Sequence, residues 1–292
     1  MQLQHVACFV TTADSGSLSA ASRVLHVTQP ALSRQLRQLE LELGVDLFDR
    51  TGGRLALSRT GLALLPAARQ LLVDAAALRD AAELHRHGQV QRVVIAAPTV
   101  TLTDVLSPFV AEMQPDDPVV DVRSADGESP AQALRGGADL AVSTQRPGPP
   151  YASRALPELP VWAYVPAGSA LAARDAVPLL ELLDQPLILP PLSYGAREAL
   201  DAAVASTGRA LDRVVEAGNG TIAQALAAAG RGVAVVSDDP RYDLRPLVIE
   251  VDGSALALRL VASWDSRSVA RDTMAALAER LEAWIAARYR TA

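Results

Sequence analysis

"VTQPALSRQLRQLE", residues 27–40, decides how the chain is read. Thr28 is placed to cap a helix, and Pro30 stands in its first turn, where a missing N–H costs nothing. Leu32, Leu36, Leu39 and Leu43 then recur at steps of four, three and four, within one narrow arc. Ser33, Arg34 and Arg37 fall on the opposite side. The leucines predict a face packed on other helices, while the outer face offers hydroxyl and guanidinium donors. An arginine so placed binds guanine bidentately or holds a phosphate, and Gln29 at the helix start can pair with adenine. For an isolated helix, however, plain solvation is the commoner reading of such a face.

The flanking residues change that balance. Upstream, Leu3, Val6, Val10 and Ala13 have helical spacing up to Ser15-Gly16. Ser17 then caps a shorter helix with Leu18, Ala21 and Leu25 inward. Downstream, "LFDRTGGRLALS" (47–58) is two short apolar segments joined through Gly52-Gly53, a dipeptide suited to a hairpin. Arg50 and Arg54 flank that turn, where a phosphate backbone or minor groove can be met. Three short helices and a two-stranded wing make a compact DNA-binding unit.

The ordered motifs "GSLSAAS", "TQPALSRQLRQLE", "LGVDLFDR" and "LSRTG" closely resemble the winged helix-turn-helix of LysR-type transcriptional regulators. The resemblance implies that Gln29, Pro30, Ser33 and Arg34 lie at the DNA, with Arg37, Arg50 and Arg54 as further contacts. Two positions depart from the family pattern. Arg59 stands where an acidic residue is usual, although Ser58 retains the cap. Leu41 falls on the outer face of the third helix, where a polar residue is usual, and is expected to touch the wing rather than DNA.

From Ser58 to His87 only Pro66 interrupts a continuous helical pattern. Leu64, Ala68, Leu71, Ala75, Leu78, Ala82 and His85 trace a heptad seam, which predicts pairing with a second copy; the alternative is an alanine-rich helix packed within its own domain. His85 and His87 lack metal-ligand geometry, because helical residues two apart do not face each other. Gly88 reads as the helix stop.

Composition bounds the rest. The net charge is −6, with residues 1–65 at +1 and the remainder at −7, so DNA contact falls to local arginines. All 27 basic residues are arginine, which excludes a Walker-loop lysine and a Schiff-base lysine. The four histidines all lie within the first 90 residues, leaving the C-terminal region without a histidine base. The single Cys8 excludes an internal disulfide switch. No metal and no cofactor is expected. No secretory leader and no bilayer-length apolar run stand out, so the expectation is a cytoplasmic protein without membrane contact.

Beyond Gln89, β-rich runs alternate with alanine-rich helices: "RVVIAA", "PVVDVRSA", "ADLAVS", "VWAYVP", "PLILP", "RVVEAG", "GVAVVS", "LVIEV" and "LALRLVASW". The pattern predicts an α/β fold with parallel sheets. Segments such as "LRGGADLAV" and "PLILPPLSYGAREALDAAVASTG" resemble the effector domain of the same family, which implies two periplasmic-binding-protein-like subdomains around a ligand cleft. The expected division is 1–60 (winged helix-turn-helix), 58–88 (linker helix) and 89–292 (effector domain). Within the last, subdomain I takes 91–160 and 266–292, and subdomain II takes 161–265. Crossovers near Leu159 and Trp264 would form the hinge.

Helix N-termini favour anions, and four expected helix starts carry small donors: Thr99 and Thr101, Ser129, Ser193 with Gly195, and Asn219 with Thr221. Each alone reads equally as a cap. The resemblance places them around one cavity, with Tyr194 as a stacking residue. Arg123 and Arg197 could meet a ligand carboxylate, but surface arginines are commonly solvated.

The function expected is a sequence-specific DNA-binding transcriptional regulator, not an enzyme, modulated by a small-molecule effector such as a small anion. Its partners would be an operator duplex, a second copy (homodimer or homotetramer) and RNA polymerase. The alternative is a cytoplasmic small-molecule-binding protein or α/β enzyme without DNA function.

Overall fold

In a computed structural model of the chain the structure describes residues 1–49, 55–87 and 90–289. Two compact units are present, Met1–Gln89 with Arg135–Gly137, and Val90–Leu134 with Ala138–Ala292.

In the first unit, helices α1 (Leu3–Ser15), α2 (Leu18–Val24) and α3 (Gln29–Leu43) precede an antiparallel pair, β1 (Phe48–Asp49) and β2 (Ala56–Leu57). The caps fall where the sequence sets them: Ser17 accepts from the Ala20 N–H and Thr28 from the Ala31 N–H, and Gly16 ends α1 at φ +65. Val6, Phe9, Ala21, Leu32, Leu36, Leu39, Leu47 and Phe48 form the core, with the Phe9 and Phe48 rings edge to face at 5.7 Å. Leu43, in the last turn before Gly44, leaves the leucine arc and is exposed.

The long helix α4 (Arg59–His87) is pinned to this unit at its start. Ser58 Oγ accepts from the Gly61 N–H at 2.8 Å and donates to the Asp46 carbonyl at 2.7 Å. Gly61 is required by contact, since a Cβ would lie 2.1 Å from the Leu47 carbonyl oxygen, a backbone atom. Gly61→Ala is therefore expected to cost about 1–3 kcal/mol through forced backbone displacement. Thermal denaturation followed by circular dichroism should show a lowered first transition, and an unchanged melt would contradict the contact.

The expected pairing seam on α4 is only partly free. Leu64, Ala68 and Leu71 pack on the core of the first unit, with α1 their neighbour, whereas Leu78 is 73% exposed. Periodicity alone does not distinguish a stripe facing a second copy from one facing α1. The segment Arg59–Arg79 is also long and apolar enough to span a bilayer by length and composition, which amends the sequence expectation. Arg69, midway along it, is however paired with Asp14 of α1.

The second unit holds two sheets. The first has the order β4 (Val119–Ser124), β3 (Arg92–Ala97), β5 (Leu140–Ser143), β14 (Ala257–Asp265) and β6 (Tyr151–Pro160). The second runs β10 (Val214–Glu216), β9 (Leu187–Leu189), β11 (Val233–Val236), β7 (Trp162–Val165), β12 (Arg245–Val251) and β13 (Ser254–Ala255), with β8 (Ala176–Pro178) beside β12. The sheets are mixed rather than parallel. β3 pairs parallel with β4 and β5, and β9 with β10 and β11, but β14 and β7 run antiparallel to their main neighbours.

Strand β6 departs from the sequence expectation, because Pro157 and Pro160 argue against a strand; it is an edge strand, where missing N–H donors are tolerated. The chain crosses from the first sheet to the second at Val161 and returns at Leu256, where the Val161 N–H donates to the Leu256 carbonyl at 2.9 Å. The return is therefore not near Trp264, which sits in β14 opposite Ala152 of the first sheet. The terminal helix Arg271–Arg288 covers that sheet through Met274, Leu277, Leu281 and Ile285.

Candidate functional site

The outer face of α3 presents Gln29, Pro30, Arg34 and Arg37 as exposed residues, with Ser33 half-buried. Burial of Leu32, Leu36 and Leu39 fixes this orientation, since the helix cannot rotate without losing its core. Neither Arg34 nor Arg37 has a hydrogen-bond or ion-pair partner among the described residues. Gln29 Nε2 donates to Ser19 Oγ, which ties the side chain to α2. Arg50 and Arg54, with Gly52, Gly53 and Gly88, lie outside the described residues.

One support of this face escapes a reading of the sequence. Glu40 Oε1 accepts from the N–H groups of Leu47 (2.9 Å) and Phe48 (3.3 Å), so the last residue of the opening motif fastens the helix to the first strand of the wing. A carboxylate one turn before the αL residue Gly44 is the signal that could have found it. Leu41 is 77% exposed, so the described part of the wing does not cover it as expected.

In the second unit a cavity of about 280 Å³ opens between the two sheets. Thr101, Ser129, Ser193, Tyr194 and Gly195 line it; Thr99, Asn219 and Thr221 do not. Those three departures have local causes. Thr99 turns to Asp126, to which it gives its hydroxyl and, at 2.9 Å, its N–H. Asn219 caps the helix Gly220–Ala228 by accepting from the Ile222 N–H at 2.9 Å, and Thr221 lies in that helix's first turn. A side chain on Gly220 would collide with the Asp238 carboxylate. Gly195 allows a close approach across the cleft, since a Cβ there would lie 2.6 Å from Thr144 Cγ2.

The residues missed are mainly acidic: Asp104, Asp126, Glu128 and Glu198 all line the cavity. Asp126 accepts from Thr99 and from Ser124 (2.7 Å), and these bonds hold its carboxyl below the usual range against the opposing effect of burial. The two arginines weighed as partners for a ligand carboxylate are engaged elsewhere. Arg123 pairs with Glu128 at 2.7 Å and Arg197 with Asp201 at 2.9 Å.

Behind the cavity a polar network joins the two sheets' layers. Arg241 Nη2 donates to Asp104 Oδ1 at 2.8 Å, and the Asp239 N–H donates to Asp104 Oδ2 at 3.0 Å. Gln224 holds the same loop, accepting from the Arg241 N–H at 2.7 Å and donating to the Asp239 carbonyl at 3.0 Å. The buried Tyr164 hydroxyl donates to the Asp238 carbonyl at 2.7 Å. Asp104 itself lies in a π-turn, Leu102–Leu106, within the helix Thr99–Ala111.

Burial and the neighbouring Asp104 push the Asp238 carboxyl up to about 6. The folded chain therefore holds a proton there that the unfolded chain releases, and stability falls as pH rises from about 4 through about 6. Asp238→Asn is expected to raise the melting temperature at about pH 8 and to change little at about pH 4. Equal shifts at both values would contradict this assignment.

Two family descriptions match the chain: "Bacterial regulatory helix-turn-helix protein, lysR family" over residues 3–62, and "LysR substrate binding domain" over residues 86–286. Among curated relatives, the HTH-type transcriptional regulator SsuR of Burkholderia cenocepacia is 28% identical over 243 residues, covering 78% of this chain and 77% of SsuR. Among solved structures, CbnR, a LysR family transcriptional regulator, aligns with a TM-score of 0.72 at 20% identity, covering 97% of this chain and 99% of CbnR. A full-length OxyR variant from Pseudomonas aeruginosa aligns with a TM-score of 0.68 at 21% identity, covering 96% and 94%. CbnR has also been solved with its target DNA, and that structure aligns with a TM-score of 0.68 at 20% identity, covering 96% of this chain and 100% of CbnR.

Proposed function

The chain belongs to the LysR family of transcriptional regulators, and from that premise we propose that α3 reads an operator duplex while the cleft of the second unit binds the effector. The observation that carries the DNA reading is the pair Arg34 and Arg37, held outward by a buried leucine face and without partners among the described residues. Arg34 supplies a bidentate donor for a guanine edge, Arg37 a phosphate contact, and Gln29, Pro30 and Ser33 set the helix start against the groove. Arg50 and Arg54 of the wing take the backbone or minor groove.

The effector acts by preferring one closure of the cleft about the Val161 and Leu256 crossings, which shifts the arrangement of paired subunits and hence of their reading helices. Pairing uses the exposed part of α4 around Leu78, giving a homodimer or homotetramer. The working division is 1–60, 58–88 and 89–292, with the return crossing at Leu256. The protein works in the cytoplasm without catalysis, with RNA polymerase as the partner that reads its state.

Fluorescence-anisotropy titration with the DNA upstream of its own gene tests the DNA reading. Binding at nanomolar concentration that a shuffled duplex fails to compete supports it. Equal competition by the shuffled duplex counts against a nearby operator.

A further inference from the structure

The cavity is the one already assigned to the effector, and what its walls add is a sign of charge. Its lining holds Asp104, Asp126, Glu128 and Glu198, and no arginine or histidine among the described residues; the chain has no lysine. Two of the four carboxylates are neutralised from behind, Asp104 by Arg241 and Glu128 by Arg123. The other two are not. Asp126 accepts only from the neutral donors Thr99 and Ser124, and the Glu198 carboxylate has no hydrogen-bond or ion-pair partner among the described residues.

These two belong to opposite walls, Asp126 in the turn after β4 and Glu198 in the first turn of the helix Gly195–Thr207. Each also serves a helix N-terminus that would otherwise attract an anion. Asp126 takes the Thr99 N–H, and Glu198 offsets the dipole of its own helix. An entering anion would thus find the Thr99 helix end occupied, the dipole at Gly195 offset, and two uncompensated carboxylates beside it. A cation finds the reverse, with the Tyr194 ring in the same wall as a π face.

We infer that the cleft takes a small organic cation, an amine or guanidine of one ring or a short chain, held between Asp126 and Glu198. The inference rests on the effector reading of this cavity. It replaces the small anion expected from helix N-termini alone.

Isothermal titration calorimetry of the full chain tests it with two probe sets matched in shape and differing in charge: benzylamine, benzyl alcohol and benzoate, and butane-1,4-diamine, butane-1,4-diol and succinate. The expected result is that the amine of at least one set binds tenfold or more tighter than its neutral and anionic counterparts. Glu198→Gln, at an exposed position, should reduce that preference at least tenfold while melting like the parent; Asp126→Asn should reduce it as far, with a lower melting temperature because the acceptor of the Thr99 and Ser124 bonds is weakened. Tighter binding of benzoate or succinate overturns the cation assignment and leaves the effector cavity standing. Absence of binding by all six overturns the cation assignment and removes support for the effector reading as well.

Discussion

Arg34→Ala is expected to lower operator affinity by about five- to a hundredfold while leaving the fold unchanged. The size follows from about 1–3 kcal/mol for a good bidentate contact to a base edge, at about 1.4 kcal/mol for each factor of ten. Fold retention follows because the side chain is exposed and has no partner among the described residues, so its removal breaks nothing within the chain. Arg34→Lys separates the two properties of the group. It keeps the charge but loses the fork, so affinity should fall nearly as far, and discrimination at one base position should relax. Arg37→Ala should behave differently if it holds a phosphate, weakening all duplexes alike and reducing the salt dependence by about one ion. Anisotropy titrations at several salt concentrations read all three variants. Unchanged affinity of folded Arg34→Ala would remove α3 from the reading face.

The second large effect concerns stability. Arg241→Ala should destabilise the second unit by about 3 kcal/mol or more, because it leaves the Asp104 carboxylate buried with only the Asp239 N–H as a close donor from that loop. All three tryptophans, Trp162, Trp264 and Trp284, lie beyond residue 90, so intrinsic fluorescence in a denaturant titration reports on this unit alone. A control sets the scale. Arg259 pairs with Glu158 at 2.7 Å, but both side chains are more than half exposed, and Arg259→Ala should cost less than about 1 kcal/mol. The double variant Arg241→Ala, Asp104→Asn should recover part of the loss, since it removes the stranded charge. If Arg241→Ala and Arg259→Ala prove equivalent, the network behind the cavity is not what holds the two layers.

The two halves of the molecule are unequally readable. The helix-turn-helix is written in contacts of short sequence separation: caps at Ser17 and Thr28, a stop at Gly16, leucines at helical spacing. Such signals survive in a linear string because the atoms that satisfy them lie within a turn or two. What the string hides is long-range. β14 carries Arg259 and Ser263 among its apolar residues, and nothing within it says that its partners are β5 and β6, so the return crossing that the resemblance puts near Trp264 lies at Leu256 instead. The two prolines of β6 signal a break, and only its edge position makes them harmless. The cavity wall shows the same limit. Thr99, Ser129 and Asn219 are legible as helix starts, yet the carboxylate that meets Thr99 is Asp126, and Asn219 is used by its own helix. Dispersed acidic residues form a wall only when the two layers close on each other.

Selection of bound duplexes from a random-sequence library by the full chain tests the regulator reading most directly, because the operator itself emerges from the selection. The predicted result is enrichment of an interrupted palindrome with half-sites about one helical turn, or a multiple of it, apart, as two paired α3 helices demand. Recovery of no enriched sequence by folded protein, at salt concentrations low enough for non-specific binding, would contradict it.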